Sequence, residues 1–168
     1  MKRICGILFV LLAPAALAAC FTSNTPLIGA EEAVFPYETI VFRAMDRPDD
    51  RAVWKRDGNI YGFFPGSGDE KVAVRLKSVG DDLFVVQMQG PDDEPAPFLY
   101  ALLKVDRAAM TAESHAAIRP HDFNDMPGLS RCNEMVCIDD LNAYVAYARE
   151  QMEAGVPPFV VYKITSLE

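Results

Sequence analysis

The sequence predicts an α+β fold that is mainly β, in which an antiparallel meander forms a sandwich or a partial barrel. Turn signals recur about every ten residues between short runs of alternating apolar and polar residues, as in all-β domains. One amphipathic helix pattern appears near the C-terminus and is followed by a last strand. With 168 residues, of which 51% are hydrophobic and 24% charged, the chain is long enough for one globular domain.

The first half of the meander is the most regular part of the pattern. Residues 39–43 are a candidate strand, and residues 47–51 indicate a polar turn. Asp57-Gly58 lies between two runs rich in aromatic and branched residues and predicts a hairpin with a type I′ turn. Three later strands are predicted from alternation or from apolar runs: one with Val72, Val74 and Leu76, one at 83–89 after the turn Gly80-Asp81-Asp82, and one at 98–105, apolar on both faces, after the loop 90–97.

The second half is less regular until the helix. The alanine-rich stretch 107–117 is compatible with a short helix inside a long loop at 106–130. Asp139 is a natural N-cap, and the apolar residues after it recur at helical spacing. Gly155 predicts the end of that helix, and residues 159–165 predict the final strand.

The N-terminus has the pattern of an export signal. Lys2 and Arg3 precede an apolar run that is too short to span a membrane as a helix and has no stop-transfer cluster after it. We therefore expect residues 1–19 to be cleaved, residues 20–38 to form a lipid-anchored tether and residues 39–168 to form a single β-rich domain. Cleavage removes two basic residues and no acidic one, so the formal charge changes from −8 to −10.

The end of this signal, Leu17-Ala18-Ala19-Cys20, resembles the lipobox of bacterial lipoproteins. The resemblance implies cleavage before Cys20 and attachment of a diacylglyceryl group and a further fatty acid such as palmitate, which together anchor a protein firmly in a membrane. In Gram-negative lipoproteins an aspartate at the next position commonly retains the protein in the inner membrane. Phe21 occupies that position, so the resemblance implies the periplasmic face of the outer membrane. Cleavage at Ala16-Leu17-Ala18 by an ordinary signal peptidase is the alternative, and it leaves a soluble periplasmic protein.

Two of the four cysteines remain once the first leaves with the signal and the second carries lipid. Outside the reducing cytosol we expect these two, Cys132 and Cys137, to form a disulfide. Zinc bound by this pair together with His115 and His121 is the alternative, but the spacings lack the tight ligand pairs of common zinc modules. We therefore expect no metal site.

The sequence contains no recognisable catalytic constellation or cofactor-binding motif. It lacks the Gly-x-Ser-x-Gly of a nucleophile elbow, a phosphate-binding glycine loop and a dinucleotide fingerprint. Its negative charge disfavours nucleic acid as a partner. An enzyme would have to use His115, His121 or loop acids, and we expect instead a protein that is not an enzyme and uses no cofactor.

Aromatic residues around the first hairpin, Trp54, Tyr61, Phe63 and Phe64, are a candidate binding surface, with core packing between neighbouring strands as the other interpretation. The sequence favours a non-enzymatic binding or accessory module of the cell envelope, whose partner is an envelope protein or a small ligand. The alternative function is inhibition of a cationic hydrolase such as lysozyme. The negative charge favours it, as does an analogy with small acidic β-barrel lipoproteins that inhibit lysozyme.

Overall fold

The computed structural model describes residues 21–46, 51–65, 72–89, 97–123, 126–132 and 135–168, with only the backbone at Phe64 and Pro65. The strands are β1 (Phe21–Ser23), β2 (Thr39–Ala44), β3 (Arg51–Asp57), β4 (Ile60–Pro65), β5 (Val72–Gly80), β6 (Leu83–Gln89), β7 (Phe98–Asp106), β8 (Thr111–His115), β9 (Leu129–Cys132), β10 (Met135–Ile138) and β11 (Val160–Leu167). The helix α1 spans Leu141–Glu153. Residues 47–50 of the predicted turn 47–51 and residues 90–96 of the predicted loop 90–97 lie outside the described residues.

Eight of these strands form a closed antiparallel barrel. β2 to β8 are neighbours in chain order, and β11 lies between β8 and β2. The pairing of β6 with β7 completes the ring. This confirms the predicted fold, a mainly β meander with one C-terminal helix followed by a last strand, and shows that the sheet closes on itself.

β7 is the strand at which the barrel meets a smaller sheet. One side of β7 pairs with β6, while the other side pairs with β8 through residues 102–106 and with β1 through residues 98–100. β1 also pairs with β10, in parallel, and β10 pairs with β9. A three-stranded extension therefore branches from the barrel along the first half of β7.

Apolar side chains form two cores, one on each face of the sheet. The side chains inside the barrel form the first core: Ile40, Phe42, Ala52, Trp54, Tyr61, Phe63, Val72, Val74, Leu76, Phe84, Val86, Leu103, Val105, Ala112 and Ile164. Residues that alternate with these on β6 and β7, such as Val85 and Leu102, belong to a second core with the buried face of α1. Because β7 contributes to both cores, its sequence is apolar on both faces.

Residues 27–38, which we call the strap, connect β1 to β2 along the outside of the barrel. The strap begins at β6, where the backbone N–H groups of Leu27 and Ile28 donate to Gln87 Oε1 at 2.9 and 2.8 Å. Before the strap, β1 is buried between β7 and β10. In the region that the sequence assigns to a tether, the chain is thus packed against the barrel along much of its length.

The predicted hairpin is present, with a different turn type, and the predicted helix begins one residue later. Gly58 and Asn59 are the central residues of the β3–β4 turn, and only Gly58 has a positive φ (60°), so the turn is type II′ instead of type I′. The N-cap of α1 is Asp140 instead of Asp139, because Asp140 Oδ1 accepts a hydrogen bond from Asn142 N–H at 2.9 Å.

The helix ends at the glycine that the sequence predicts. Gly155 has a φ of 82°, its N–H donates to the carbonyl oxygen of Met152, and Val156 N–H donates to the carbonyl oxygen of Gln151. These bonds form a Schellman motif, which requires the left-handed conformation at the glycine. The motif redirects the chain toward β11, the strand that completes the barrel.

The alanine-rich stretch 107–117 contains a strand and not the short helix compatible with its composition. Residues 107–110 form a turn, and β8 follows, paired with β7 on one side and with β11 on the other. Ala112 is fully buried in the barrel core. Pairing on both edges and burial of alternate side chains therefore outweigh the local helical propensity of alanine.

Two tyrosines of the second core provide a matched test of stability. Tyr144 Oη is buried and has no hydrogen-bond partner among the described residues, whereas Tyr100 Oη lies 2.8 Å from Ser23 Oγ and 3.0 Å from Gln87 Oε1. A buried polar group that lacks a partner costs about 1–3 kcal/mol, while a satisfied hydrogen bond stabilises by about 1 kcal/mol. Tyr144→Phe should leave the free energy of unfolding unchanged or raise it by about 1 kcal/mol, and Tyr100→Phe should lower it by about 1–3 kcal/mol. Urea unfolding measures both, and the opposite order would contradict this packing.

Candidate functional site: a groove at the barrel mouth

The candidate site lies at one end of the barrel, which we call the mouth. The β3–β4, β5–β6 and β7–β8 turns and the C-terminus meet at this end. Val105 N–H at the end of β7 donates to the carbonyl oxygen of Asp82 in the β5–β6 turn at 2.8 Å. Glu168 and Thr39 exchange backbone hydrogen bonds of 3.1 and 3.2 Å. These short connections give the mouth a firmly bonded rim.

The second half of the strap crosses the mouth and closes it. Val34 N–H donates to the carbonyl oxygen of Leu76 at 2.8 Å, at a point on β5 beyond its pairing with β4. The side chains of Val34, Phe35 and Tyr37 pack against the barrel core. At this end the strap therefore covers the core with apolar side chains of its own.

Tyr61 joins the strap to the barrel interior. Its Oη donates to the carbonyl oxygen of Tyr37 at 2.6 Å, and its ring packs edge-on against Phe35 with the centroids 5.1 Å apart. Burial raises the pKa of Tyr61 to about 12, so the phenol stays protonated and remains a donor at neutral pH. Two cations cover the strap aromatics from outside, since Arg56 lies 5.2 Å from the Phe35 centroid and Arg107 lies 5.6 Å from that of Tyr37.

An open groove of about 740 Å³ runs between the strap and the β5–β6 turn. Strap residues 34–36 form one wall, and Phe84 adds apolar surface from β6. Ser78, Asp81 and Asp82 line the opposite side. We call Asp81 and Asp82 the acidic lip. Arg107 also lines the groove, so the lining combines apolar surface with two carboxylates and one guanidinium.

Asp82 holds the acidic lip in a defined conformation. Its φ is 52°, in the left-handed region that aspartate tolerates better than most residues. Its Oδ1 lies 2.8 Å from Arg107 Nε, in an ion pair whose side chains are 41% and 55% exposed. A pair this exposed contributes little to stability, so its effect is mainly geometric. Arg107 is held between Asp82 and the ring of Tyr37, and Asp81 is the exposed acid of the turn.

The groove offers a hydroxyl, two carboxylates and a guanidinium beside its apolar surface. Nucleophilic catalysis needs a hydroxyl or thiol next to a base. Ser78 is the hydroxyl-bearing side chain among the described residues that line the groove, and its Oγ donates to the carbonyl oxygen of Gly80 at 3.4 Å. An apolar wall opposite a carboxylate lip matches a ligand that is part apolar and part cationic, such as an exposed lysine or arginine side chain of another protein.

The aromatic residues around the first hairpin do not form an exposed face. Trp54, Tyr61 and Phe63 lie in the barrel core with exposed fractions of 8%, 0% and 7%. The Trp54 ring packs against Phe42 with a centroid distance of 4.9 Å. Core packing is therefore the interpretation that describes these three residues. The side chain of Phe64 lies outside the described part of the structure.

The two histidines and the two remaining cysteines are not assembled as a zinc site. The Sγ atoms of Cys132 and Cys137 lie 2.21 Å apart, at disulfide distance, as the sequence predicts. His115 is buried with Nε2 3.3 Å from Glu113 Oε2, while His121 is exposed. Within the described ranges, no group of three or more His, Cys, Asp or Glu side chains is arranged to hold a metal ion.

The disulfide braces the sheet extension that contains β1. Cys132 lies opposite Met135 and Cys137 opposite Ser130, so the bond crosses the β9–β10 hairpin diagonally. Thr22 of β1 is the register partner of Cys137, and its Oγ1 lies 3.9 Å from Cys132 Sγ. The cross-link therefore stabilises the β9–β10 hairpin. Strand β10 of this hairpin pairs with β1, with which the described chain begins.

Cys20 and residues 1–19 lie outside the described residues, so cleavage and acylation stay predictions. The described chain begins at Phe21, which is 2% exposed and pairs with Tyr100 and Val136. Its ring lies 5.1 Å from that of Tyr144 on α1. The described part of the chain is therefore packed from its first residue, Phe21.

The sequence did not predict the groove as a unit. Gly80-Asp81-Asp82 is a predicted turn that the structure contains, but Arg107 lies in the stretch assigned to a possible helix. The two are brought together because β6 and β7 are paired antiparallel, so that β6 begins at the rim where β7 ends. Paired acids at 81–82 are the one local signal, and similar pairs occur at several other turns of this sequence.

No protein-family model, curated protein or solved structure matches this chain. In the part of the chain that the structure describes, no helix is both long enough and apolar enough to cross a membrane. Functional inference therefore depends on the residues and on the geometry of the fold.

Proposed function

We propose that the protein is a lipoprotein acylated at Cys20, held on the periplasmic face of the outer membrane, where it acts as a non-enzymatic module that binds another component of the envelope. The observation that carries the proposal is the Leu17–Cys20 lipobox pattern directly before the first strand of the fold. Cleavage before Cys20 would remove residues 1–19 and none of the described strands. Signal removal and folding of the barrel are thus compatible.

The position of β1 supports close attachment of the barrel to the membrane. Acyl chains on Cys20 would sit one residue from Phe21, whose side chain is almost fully buried in the second core. A long flexible linker would let a domain move tens of ångströms from the bilayer, at about 3.3–3.6 Å per extended residue. Here the proposed anchor adjoins the body, so the barrel would lie against the headgroups.

The groove at the mouth is the binding surface that we assign to this module. Asp81 and Asp82 outnumber Arg107 in its lining, and the charge of −10 expected after cleavage also favours a partner with a basic surface. Its apolar wall of strap residues 34–36 would contact the aliphatic part of a lysine or arginine side chain. A basic loop of an envelope protein therefore fits the groove in shape and charge.

Acylation is tested by metabolic labelling with palmitate. The full-length protein and a Cys5→Ala control, altered only within the signal, should incorporate label and fractionate with membranes. Cys20→Ala should lose the label, because its side chain offers no sulfur for the thioether. Label retained by Cys20→Ala would contradict lipidation at this residue. An unlabelled wild-type protein in the soluble periplasmic fraction would support the soluble alternative.

Partner binding is tested by reversing the charge of the acidic lip. Detergent-solubilised envelopes are passed over the wild-type protein, over Asp81→Lys and over the control Asp139→Lys, which reverses an exposed acid that does not line the groove. A lysine at the lip would repel a basic partner, so Asp81→Lys should recover at least about tenfold less of it, a difference of about 1.4 kcal/mol. Equal recovery by all three proteins, or no partner with any, would count against a binding function of this groove.

The second candidate function is inhibition of a cationic hydrolase such as lysozyme. The acidic lip favours it, because a negatively charged surface beside an apolar wall is complementary to a basic enzyme surface. In this case the partner of the groove is the enzyme itself.

Inhibition is tested with lysozyme activity at micromolar concentrations of the purified protein. We expect loss of activity at low ionic strength and partial recovery at high ionic strength, because screening weakens attraction between exposed charges. Asp81→Lys should inhibit less than Asp139→Lys. Lysozyme activity that the wild-type protein leaves unchanged at low ionic strength would exclude lysozyme as the target.

A further inference from the structure

A small pocket on the outer face of the barrel lies beneath the start of the strap. It has a volume of about 80 Å³ and is lined by Ala73 and Arg75 of β5, Gln87 and Gln89 of β6, and Pro26, which precedes the strap. It shares no described lining residue with the groove at the mouth. Nothing in the proposed envelope function assigns a role to it.

The pocket exists because small residues face outward at its centre. Ala73 is the register partner of Gly62 on β4 and of Gln89 on β6, so little side-chain volume covers the sheet along this row. Ile60 and Phe98 form apolar walls at its two sides. The hollow is therefore built by the sequence of paired strands, and a long outward-facing side chain such as leucine at residue 73 would fill it.

The orientation of the Gln87 amide follows from its hydrogen bonds. Its Oε1 accepts from the backbone N–H groups of Leu27 and Ile28, and Tyr100 Oη donates to the same atom at 3.0 Å. A backbone N–H can only donate, so the atom that faces the strap must be the carbonyl oxygen of the amide. Gln87 Nε2, with its two donor hydrogens, then faces away from the strap.

Gln87 Nε2 is the observation that points to a ligand. Gln87 is 3% exposed and lines the pocket. No hydrogen bond joins its Nε2 to any residue that the structure describes. An amide nitrogen on a residue that lines the pocket, with its oxygen committed elsewhere, is therefore suited to donate to an acceptor that enters the pocket.

Arg75 supplies positive charge beside this amide. It is the direct cross-strand partner of Gln87, and its Nη1 donates to the carbonyl oxygen of Ile28 at 2.8 Å. That bond uses one of the five N–H donors of the guanidinium and fixes the position of the group. Arg75 is the charged side chain among the described residues of the pocket, in a protein whose net charge is −8. The pocket is thus a local site for an anion on an acidic protein.

The size and the planar donors of the pocket select among anions. A pocket of about 80 Å³ admits a small polar group. Planar amide and guanidinium groups match the two coplanar oxygens of a carboxylate. We infer that this pocket binds a carboxylate group, with Arg75 and Gln87 on its oxygens and Pro26 and Phe98 against the attached carbon. The carboxylate belongs either to a small organic acid or to the C-terminus of a peptide.

Binding is measured by nitrogen-15 NMR of the purified mature protein, kept in detergent if it is acylated. The probes are acetate, a short peptide with a free C-terminus, the same peptide with a C-terminal amide, and inorganic phosphate. Acetate or the free-acid peptide should shift the side-chain resonances of Arg75 and Gln87 in a saturable way, with a dissociation constant on the order of 1 mM for so few atoms. The amidated peptide and phosphate should shift them much less.

The two sources of carboxylate are distinguished by relative affinity. Tighter binding of the free-acid peptide than of acetate indicates a peptide terminus, and equal affinity indicates a small organic acid. Either result supports a carboxylate site. Equal shifts with the amidated peptide or with phosphate would overturn the assignment, as would the absence of saturable shifts with both carboxylates.

Two substitutions of Ala73 that differ in side-chain volume provide a matched pair of variants. Ala73→Leu fills the hollow and keeps every donor, so affinity for acetate should fall at least about tenfold, while Ala73→Ser should bind as the wild type does. Residue 73 lies on the outer face of β5, and the chemical shifts of the barrel core report whether each variant is folded. Equal affinity of folded Ala73→Leu and Ala73→Ser would overturn the proposal. The result is independent of acylation at Cys20 and of binding at the groove, since neither uses these residues.

Discussion

The carbonyl oxygen of Gln87 collects three donors, two backbone N–H groups of the strap and the hydroxyl of Tyr100, and so fixes where the strap begins on the barrel. Without this oxygen the buried Ile28 N–H would lose its partner, at a cost of about 1–3 kcal/mol. Leu27 N–H also donates to Tyr100 Oη at 3.1 Å, and Tyr100 Oη also lies 2.8 Å from Ser23 Oγ. Both candidate binding regions depend on this attachment. Strap residues 34–36 form a wall of the groove, and Pro26 covers the outer pocket.

The same strands that close the barrel also position the strap. Outward-facing residues of β6 and β7 bury their apolar members beneath α1 and use Gln87 and Tyr100 for the polar attachment. Inward-facing residues fill the interior of the barrel, and Trp54, Tyr61 and Phe63 near the first hairpin are part of this core. The interior is thus filled by the protein's own side chains, and the two proposed sites lie on the rim and on the outer surface.

The sequence predicted those elements whose conformation depends on residues close together in the chain. Gly155 produces the Schellman motif through its own backbone freedom, and the alternation in β5 reflects one buried face. The strand β8 escaped prediction because its conformation is decided by pairing with β7 and β11, which are distant in sequence. β1 has three residues and shows no period. The groove could not be predicted from the sequence for the same reason, because the contact between Asp82 and Arg107 forms only once the barrel is closed.

The disulfide is important because of its position in the sheet extension. A loop this short contributes about 2 kcal/mol by the loop-closure relation, a modest amount for a whole domain. Its effect is concentrated on the β9–β10 hairpin, and β10 is the parallel partner of β1. In the proposed lipoprotein, any displacement of the acylated residue relative to the barrel would be transmitted to Phe21 and Thr22 first. A covalent brace on the strand beside them resists that displacement at the point where the anchor enters the fold.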